Sequence, residues 1–188
     1  MNPFSLEQGP LSVRLDFGFY GAVVVGLALL AVHSLPSGQA LAALGWVAAG
    51  LLSWTLAEYA LHRFVLHGLQ PFKGWHARHH ARPLALIATP TVLTAVLFAG
   101  LVGVPAAGLL ALWQASALAL GVLTGYLAYI LMHHALHHWP GASWLRWPRR
   151  WHALHHRGVG GCYGVSLPLW DHVFRTARTA TQSTSKAP

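Results

Sequence analysis

Fourteen histidines in 188 residues are the residues in this chain best able to do chemistry. Twelve of them fall in four clusters: His62 and His67; His76, His79 and His80; His133, His134, His137 and His138; His152, His155 and His156. Imidazole is the commonest side-chain metal ligand and suits iron, zinc, copper and nickel. On a helix, positions i, i+3 and i+4 are neighbours, so His76/His79/His80 and His152/His155/His156 each read as three imidazoles on one face. His133 and His137 are one turn apart; His134 and His138 form a competing pair one step out of register. His62 and His67 are five apart, about 140° round an ideal helix. They are expected to share a site only if the helix ends between them, which Gly68 favours, or lies beside the metals. Ten close imidazoles could not all be protonated near neutral pH without strong repulsion; metal binding would hold them neutral. Ten ligands suit two ions at five each, too many for one tetrahedral zinc. Nitrogen ligands with open positions beside lipid suggest oxygen activation and attack on an unactivated carbon–hydrogen bond.

The elements that must position these clusters follow from charge. Residues 17–57 contain no Asp, Glu, Lys or Arg, and residues 83–132 contain neither charge nor histidine. A span needs about 20 apolar residues, and 50 residues as one helix would reach about 75 Å, so the second stretch folds back. Proline and glycine place the breaks near Gly103-Val104-Pro105 and Ser34-Leu35-Pro36-Ser37-Gly38. Four transmembrane helices are expected, near 16–35, 39–61, 86–104 and 108–132, as two hairpins. Each hairpin is followed by a short histidine cluster and then a His-x-x-His-His, a loose twofold organisation. Residues 1–176 are expected to form one membrane-embedded domain and 177–188 a flexible tail.

Composition agrees. Hydrophobic residues are 55% and charged residues 9%, with mean hydropathy +0.47, which argues against disorder and against a soluble globular domain. One cysteine excludes an intramolecular disulfide and a multi-cysteine metal site. The net charge of +8 has a topological explanation. All Lys and Arg lie outside the two hairpin tips, on the side that the positive-inside rule makes cytoplasmic. No nucleic-acid partner is expected. Both termini and the histidine clusters are expected to face the cytoplasm, in a bacterial inner membrane, with no cleavable signal. A histidine-rich transporter would place polar ligands along a path within the bilayer, and the expected spans lack them.

Glu58-Tyr59-Ala-Leu-His62-Arg63-Phe64-Val-Leu-His67, His76-Ala-Arg-His79-His80, Tyr129-Ile-Leu-Met-His133-His134-Ala-Leu-His137 and His152-Ala-Leu-His155-His156 together resemble the fatty acid hydroxylase/sterol desaturase superfamily. The fatty acid 2-hydroxylase branch is the most similar, and Tyr163-Gly164-Val165-Ser166, Leu169-Trp170-Asp171 and Val173-Phe174 match it as well. The resemblance covers about 55 to 176. It implies an all-α membrane protein whose four transmembrane helices carry a cytoplasmic helical cap around a dimetal site. Position by position, the implied ligands are His62, His67, His76, His79, His80, His133, His137, His152, His155 and His156. The implied cofactor is two iron ions, which zinc can replace in purified protein, with O2 as co-substrate. The implied activity is hydroxylation of a fatty acid or fatty-acyl chain. The implied partners are a membrane lipid and an external electron donor, such as ferredoxin or cytochrome b5 with a reductase, since no His-Pro-Gly-Gly haem motif occurs. Two departures stand out: Ile130 occupies a position where the family commonly has Asp, and the chain between the first two clusters is shorter than in eukaryotic members. Other readings are a carotenoid, sterol or alkane oxygenase or a desaturase, and, in another class, a non-catalytic metal-binding membrane protein or transporter.

Four further features complete the sequence picture. Glu58 stands four residues before His62 and is expected to accept a hydrogen bond from the second nitrogen of that ring, as partners of metal-bound histidines do. Asp171 is a second candidate for such support. Trp144-Leu-Arg-Trp147-Pro-Arg-Arg-Trp151 reads as an interfacial anchor. Cys162, among Gly160, Gly161 and Gly164, reads as a small filler in a turn.

Overall fold

The computed structural model describes residues 6–158 and 160–179; most of the expected 177–188 tail lies outside them. Secondary structure among the described residues is helical, apart from one isolated antiparallel bridge between Glu7 and Ile87. The helices are α1 (Pro10–His33), α2 (Ala40–Ala60), α3 (Phe72–Ala81), α4 (Thr91–Phe98), α5 (Val104–Leu109), α6 (Leu112–His138), α7 (Arg146–His156) and α8 (Leu169–Val173). Four continuous helical stretches are long and apolar enough to cross a membrane: Pro10–His33, Ala40–Leu66, Thr91–Leu109 and Leu112–His138. The chain forms two compact units. One contains residues 6–54 and 85–127, the other 55–84 and 128–179.

Helix boundaries follow local chemistry. α1 begins at Pro10, earlier than expected, because proline suits a first-turn position whose N–H has no intrahelical partner. It ends at Ser34, whose hydroxyl donates to the Leu30 carbonyl at 2.6 Å. The second hairpin does not turn at Gly103-Val104-Pro105. A wider, π-helical stretch at Ala99–Gly103 leads into α5, and the chain reverses only at Leu110–Ala111. In an ordinary helix the Pro105 ring would press on the carbonyl four residues back; a widened turn relieves such crowding.

The first unit is held by close contacts, beside hydrogen bonds from Thr91 to Asp16 and between Tyr20 and Thr94. Each of the four candidate spans contributes one aromatic ring: Tyr20, Trp54, Phe98 and Tyr126. Tyr126 lies 4.7 Å from Tyr20, 5.2 Å from Trp54 and 4.8 Å from Phe98 between ring centroids, all three edge to face. Beside them α2 and α6 approach through small residues. A Cβ at Gly121 would land on the Val47 carbonyl, and one at Gly50 on the Leu118 carbonyl. Small residues at such crossings let backbones approach where lipid provides no hydrophobic drive. Large side chains including Leu11, Leu29, Val32, Leu101 and Val104 face outward, as a lipid-facing surface requires.

The second unit packs Ala135, Leu136, Leu145 and Val165 into a small core. Arg149, on α7, donates Nε to the Leu136 carbonyl at 3.1 Å, Nη1 to Pro140 at 3.2 Å and Nη2 to Trp139 at 2.5 Å. One guanidinium thus caps the open carbonyl end of α6 and sets the distance between two histidine-bearing helices.

Candidate metal centre

The end of the second candidate span carries the first two histidines. Beyond Ala60 the helix widens into a π-helical segment, Leu61–Leu66, closed by a hydrogen bond from the His67 N–H to the His62 carbonyl at 3.2 Å. This answers the spacing problem differently from either sequence expectation. An i→i+5 turn brings residues five apart together, and the His62 and His67 rings lie 5.3 Å apart. Such turns concentrate at functional sites. Gly68 follows because a Cβ there would meet the Phe64 carbonyl.

α3 and α7 each carry a His-x-x-His-His, but the three rings do not serve one place. Positions i+3 and i+4 diverge by about 100° around a helix. The i and i+4 residues therefore go to one side and the i+3 residue to the other. The result is two sets of five. His62, His67, His76, His80 and His155 form the first; His79, His133, His137, His152 and His156 form the second. Within each set, one ring nitrogen from every residue lies within 4.8 Å of all the others. All ten sequence candidates are used. His134 and His138 stack on each other at 4.5 Å outside both sets. His33 ends α1, and His172 lies beside Trp151, 5.7 Å between rings.

Nitrogen spacing within the sets is suited to an ion. In the first, Nε2–Nε2 distances are 3.0 Å for His62–His76, 2.9 Å for His76–His80, 3.0 Å for His80–His155 and 3.1 Å for His67–His155. In the second, His137–His152 and His152–His156 are both 3.0 Å apart. Two nitrogens bound at right angles to an ion at about 2.1 Å would lie about 3.0 Å apart. Both ring nitrogens of buried His79 have no hydrogen-bond partner among the described residues. Buried polar atoms are rarely left so without an ion or water to meet them. The donor set therefore fits a pair of metal ions.

Electrostatics point the same way. Burial, reinforced by neighbouring imidazoles, pushes His67 down to about 4, His156 to about 3 and His79 to about 2. It also lowers His76, His80, His152 and His155 below the ordinary histidine range. At neutral pH these rings are neutral, the form that offers a lone pair to a metal.

The 160–166 loop, which the sequence reading did not connect to the rings, orients two of them. His62 Nδ1–H donates to the Tyr163 carbonyl at 2.5 Å, and His155 Nδ1–H to the Gly161 carbonyl at 3.0 Å. A carbonyl only accepts, so both rings carry their proton on Nδ1 and leave Nε2 free as a ligand. Asp171, wholly buried, holds the loop: Oδ1 accepts from the Tyr163 N–H at 2.9 Å and Oδ2 from the Gly164 N–H at 2.7 Å. Glu58 Oε1 accepts from the Val165 and Ser166 N–H groups, both at 2.8 Å. Glu58 therefore supports His62 through this loop, the Nδ1 of that ring being taken by Tyr163. Left-handed backbone at Gly160 and Cys162 (φ 64° and 57°) shapes the loop, and a Cβ at Gly164 would strike the Leu167 carbonyl. The glycines around Cys162 were the visible signal of a tight turn; which carbonyls it would expose was not.

A family model described as fatty acid hydroxylase matches residues 47–176, the stretch that holds all ten histidines. The chain belongs to the fatty acid hydroxylase family. Among similar proteins of this family is the dihydroceramide fatty acyl 2-hydroxylase FAH2 of Arabidopsis thaliana, 38% identical over 147 residues, covering 69% of this chain and 59% of the relative. Another is the ceramide very long chain fatty acid hydroxylase SCS7 of Saccharomyces cerevisiae, 33% identical over 147 residues, 68% of this chain and 36% of the relative. A third is the fatty acid 2-hydroxylase of Rattus norvegicus, 31% identical over 153 residues, 71% of this chain and 39% of the relative. The chain thus spans about three-fifths or less of these curated relatives. The solved structure of full-length scs7p, with only the hydroxylase domain visible, superposes with a TM-score of 0.79 at 26% identity, covering 93% of this chain and 68% of that one. Family membership and the four apolar helices support an integral membrane location. These relatives are eukaryotic and give no support to a bacterial membrane.

Proposed function

We propose that this chain is an O2-dependent lipid hydroxylase that inserts one oxygen atom into a fatty-acyl chain, at the carbon next to the carbonyl. The convergence of two five-histidine sets in a member of the fatty acid hydroxylase family carries this reading. The position of attack rests on relatives named fatty acyl 2-hydroxylases. The first set would hold one iron ion and the second set the other. When bound, the metal pair supplies the reduction of O2 and the oxidising power to cleave a carbon–hydrogen bond. Hydroxylation consumes O2, two electrons and two protons, and yields the alcohol and water. The electrons come from a separate donor such as ferredoxin, or cytochrome b5 with a reductase. The metal-bearing side and both termini face the cytoplasm in this reading.

The chain's own residues perform three tasks. Burial keeps the imidazoles neutral and limits water at the centre. The Tyr163 and Gly161 carbonyls fix the tautomer of His62 and His155, a form of support that raises ligand basicity. Tyr163 packs 5.5 Å from the His67 and His155 rings, and Tyr129 stacks over His133 at 5.9 Å, so each set has an aromatic wall. The exposed Trp144 and Trp147 on and before α7 suit the membrane interface from which an acyl chain would enter.

The test is mass spectrometry of lipids from cells with and without the protein. A species heavier by one oxygen, located at the 2-position by fragmentation, is the expected result. Unchanged lipids from cells holding metal-loaded protein and a competent electron donor would refute the reading.

A further inference from the structure

We infer that the two metal positions are inequivalent, and that Asp171 and Glu58 are positioning residues for the first set. This rests on the dimetal reading above. The observation behind it is a difference in what stands behind the rings. In the first set, backbone carbonyls aim rings, Tyr163 to His62 and Gly161 to His155. In the second set, Nδ1 of His79, His152 and His156 finds no hydrogen-bond partner among the described residues. The first position is preorganised by protein; the second acquires its order from the ion.

The loop carrying those carbonyls has two carboxylate clamps that differ in kind. Asp171 uses both oxygens as acceptors, Oδ1 from the Tyr163 N–H and Thr176 Oγ1–H and Oδ2 from the Gly164 N–H. An asparagine cannot accept at both ends, so Asp171→Asn sets an N–H against an N–H donor. Glu58 receives both loop N–H groups on a single oxygen, which a glutamine carbonyl reproduces. The two substitutions remove the same charge but only one removes the geometry.

The experiment is anaerobic titration of the metal-free, full-length protein in detergent with cobalt(II), followed by absorption. Wild type is expected to bind two equivalents in two resolved steps. His67→Ala should abolish the tight step and His137→Ala the weak one. Asp171→Asn should weaken the tight step by about tenfold or more and leave the other unchanged; Glu58→Ala should weaken the tight step too, and Glu58→Gln, which keeps the accepting oxygen, should recover it. If Asp171→Asn does not fold, the wild-type, His67→Ala and His137→Ala titrations still decide. Two equal steps, or loss of the tight step in His137→Ala, overturns the inference. Equal weakening in Asp171→Asn and Glu58→Gln also overturns it, since charge alone would then be at work. A wild-type protein that binds no cobalt would instead refute the dimetal reading on which it stands.

Discussion

The two compact units solve opposite problems. Residues 6–54 and 85–127 must cohere where lipid makes apolar burial nearly worthless. They do so through shape, with glycine contacts between α2 and α6 and one aromatic ring from each span. Residues 55–84 and 128–179 must hold many polar atoms out of water. They do so by setting Asp171 and Glu58 against the N–H groups of the 160–166 loop, and by gathering imidazole nitrogens where an ion can satisfy them. The difference teaches where each unit is vulnerable: the first to added volume, the second to a missing hydrogen-bonding or coordinating atom.

The largest expected effects separate the units most sharply. His79→Ala and His155→Ala each remove one nitrogen from a set, and each should lose metal and hydroxylation together; metal analysis of the purified variants with lipid mass spectrometry checks both. Full metal retention in both would break the assignment. Gly121→Leu should do the reverse. It forces side-chain volume into the Val47 carbonyl and should cost about 1–3 kcal/mol or more by overpacking, read as a lower Tm in detergent, while metal per folded chain stays unchanged.

The metal-free protein should also be acid-sensitive. His67, His156 and His79 are neutral when folded, so below the ordinary histidine pKa of 6.5 the unfolded chain binds more protons than the folded one. Stability is full above pH 6.5 and falls with pH, toward about 4 for His67, about 3 for His156 and about 2 for His79. Thermal unfolding of chelator-treated protein across this range should show Tm dropping on acidification; a flat profile would mean the rings are not buried neutral. Smaller still, Arg149→Gln removes bonds to the carbonyls of Leu136, Trp139 and Pro140 at and just past the end of α6 and should cost about 1–2 kcal/mol, with Arg149→Lys recovering part of it. Tyr20→Phe, which loses the hydroxyl contacts with Thr94 and Tyr126, should cost about 1 kcal/mol and leave metal content alone.

Much of this was legible in the residues. The apolar runs show four spans and the spacing of imidazoles shows the four clusters, because both depend on local periodicity; choosing His133 and His137 over His134 and His138 needed the family resemblance. Three things were not legible. The π-helical turn at Leu61–Leu66 arises from tertiary demand rather than from any residue that marks it. The sharing of each His-x-x-His-His between two sets depends on how α3 and α7 face each other across the histidines. The real partner of Glu58, the Val165–Ser166 backbone, lies 107 and 108 positions away in sequence, a distance over which an i, i+4 rule says nothing.

The sharing is reciprocal. Residues 62–80 own four members of the first set and lend His79 to the second; residues 133–156 own four of the second and lend His155 to the first. Neither half can complete a set of five unaided, so an ion held by either set would interlock them. A chain whose halves failed to meet would have two incomplete cups and, on the function proposed above, no oxidant to misfire.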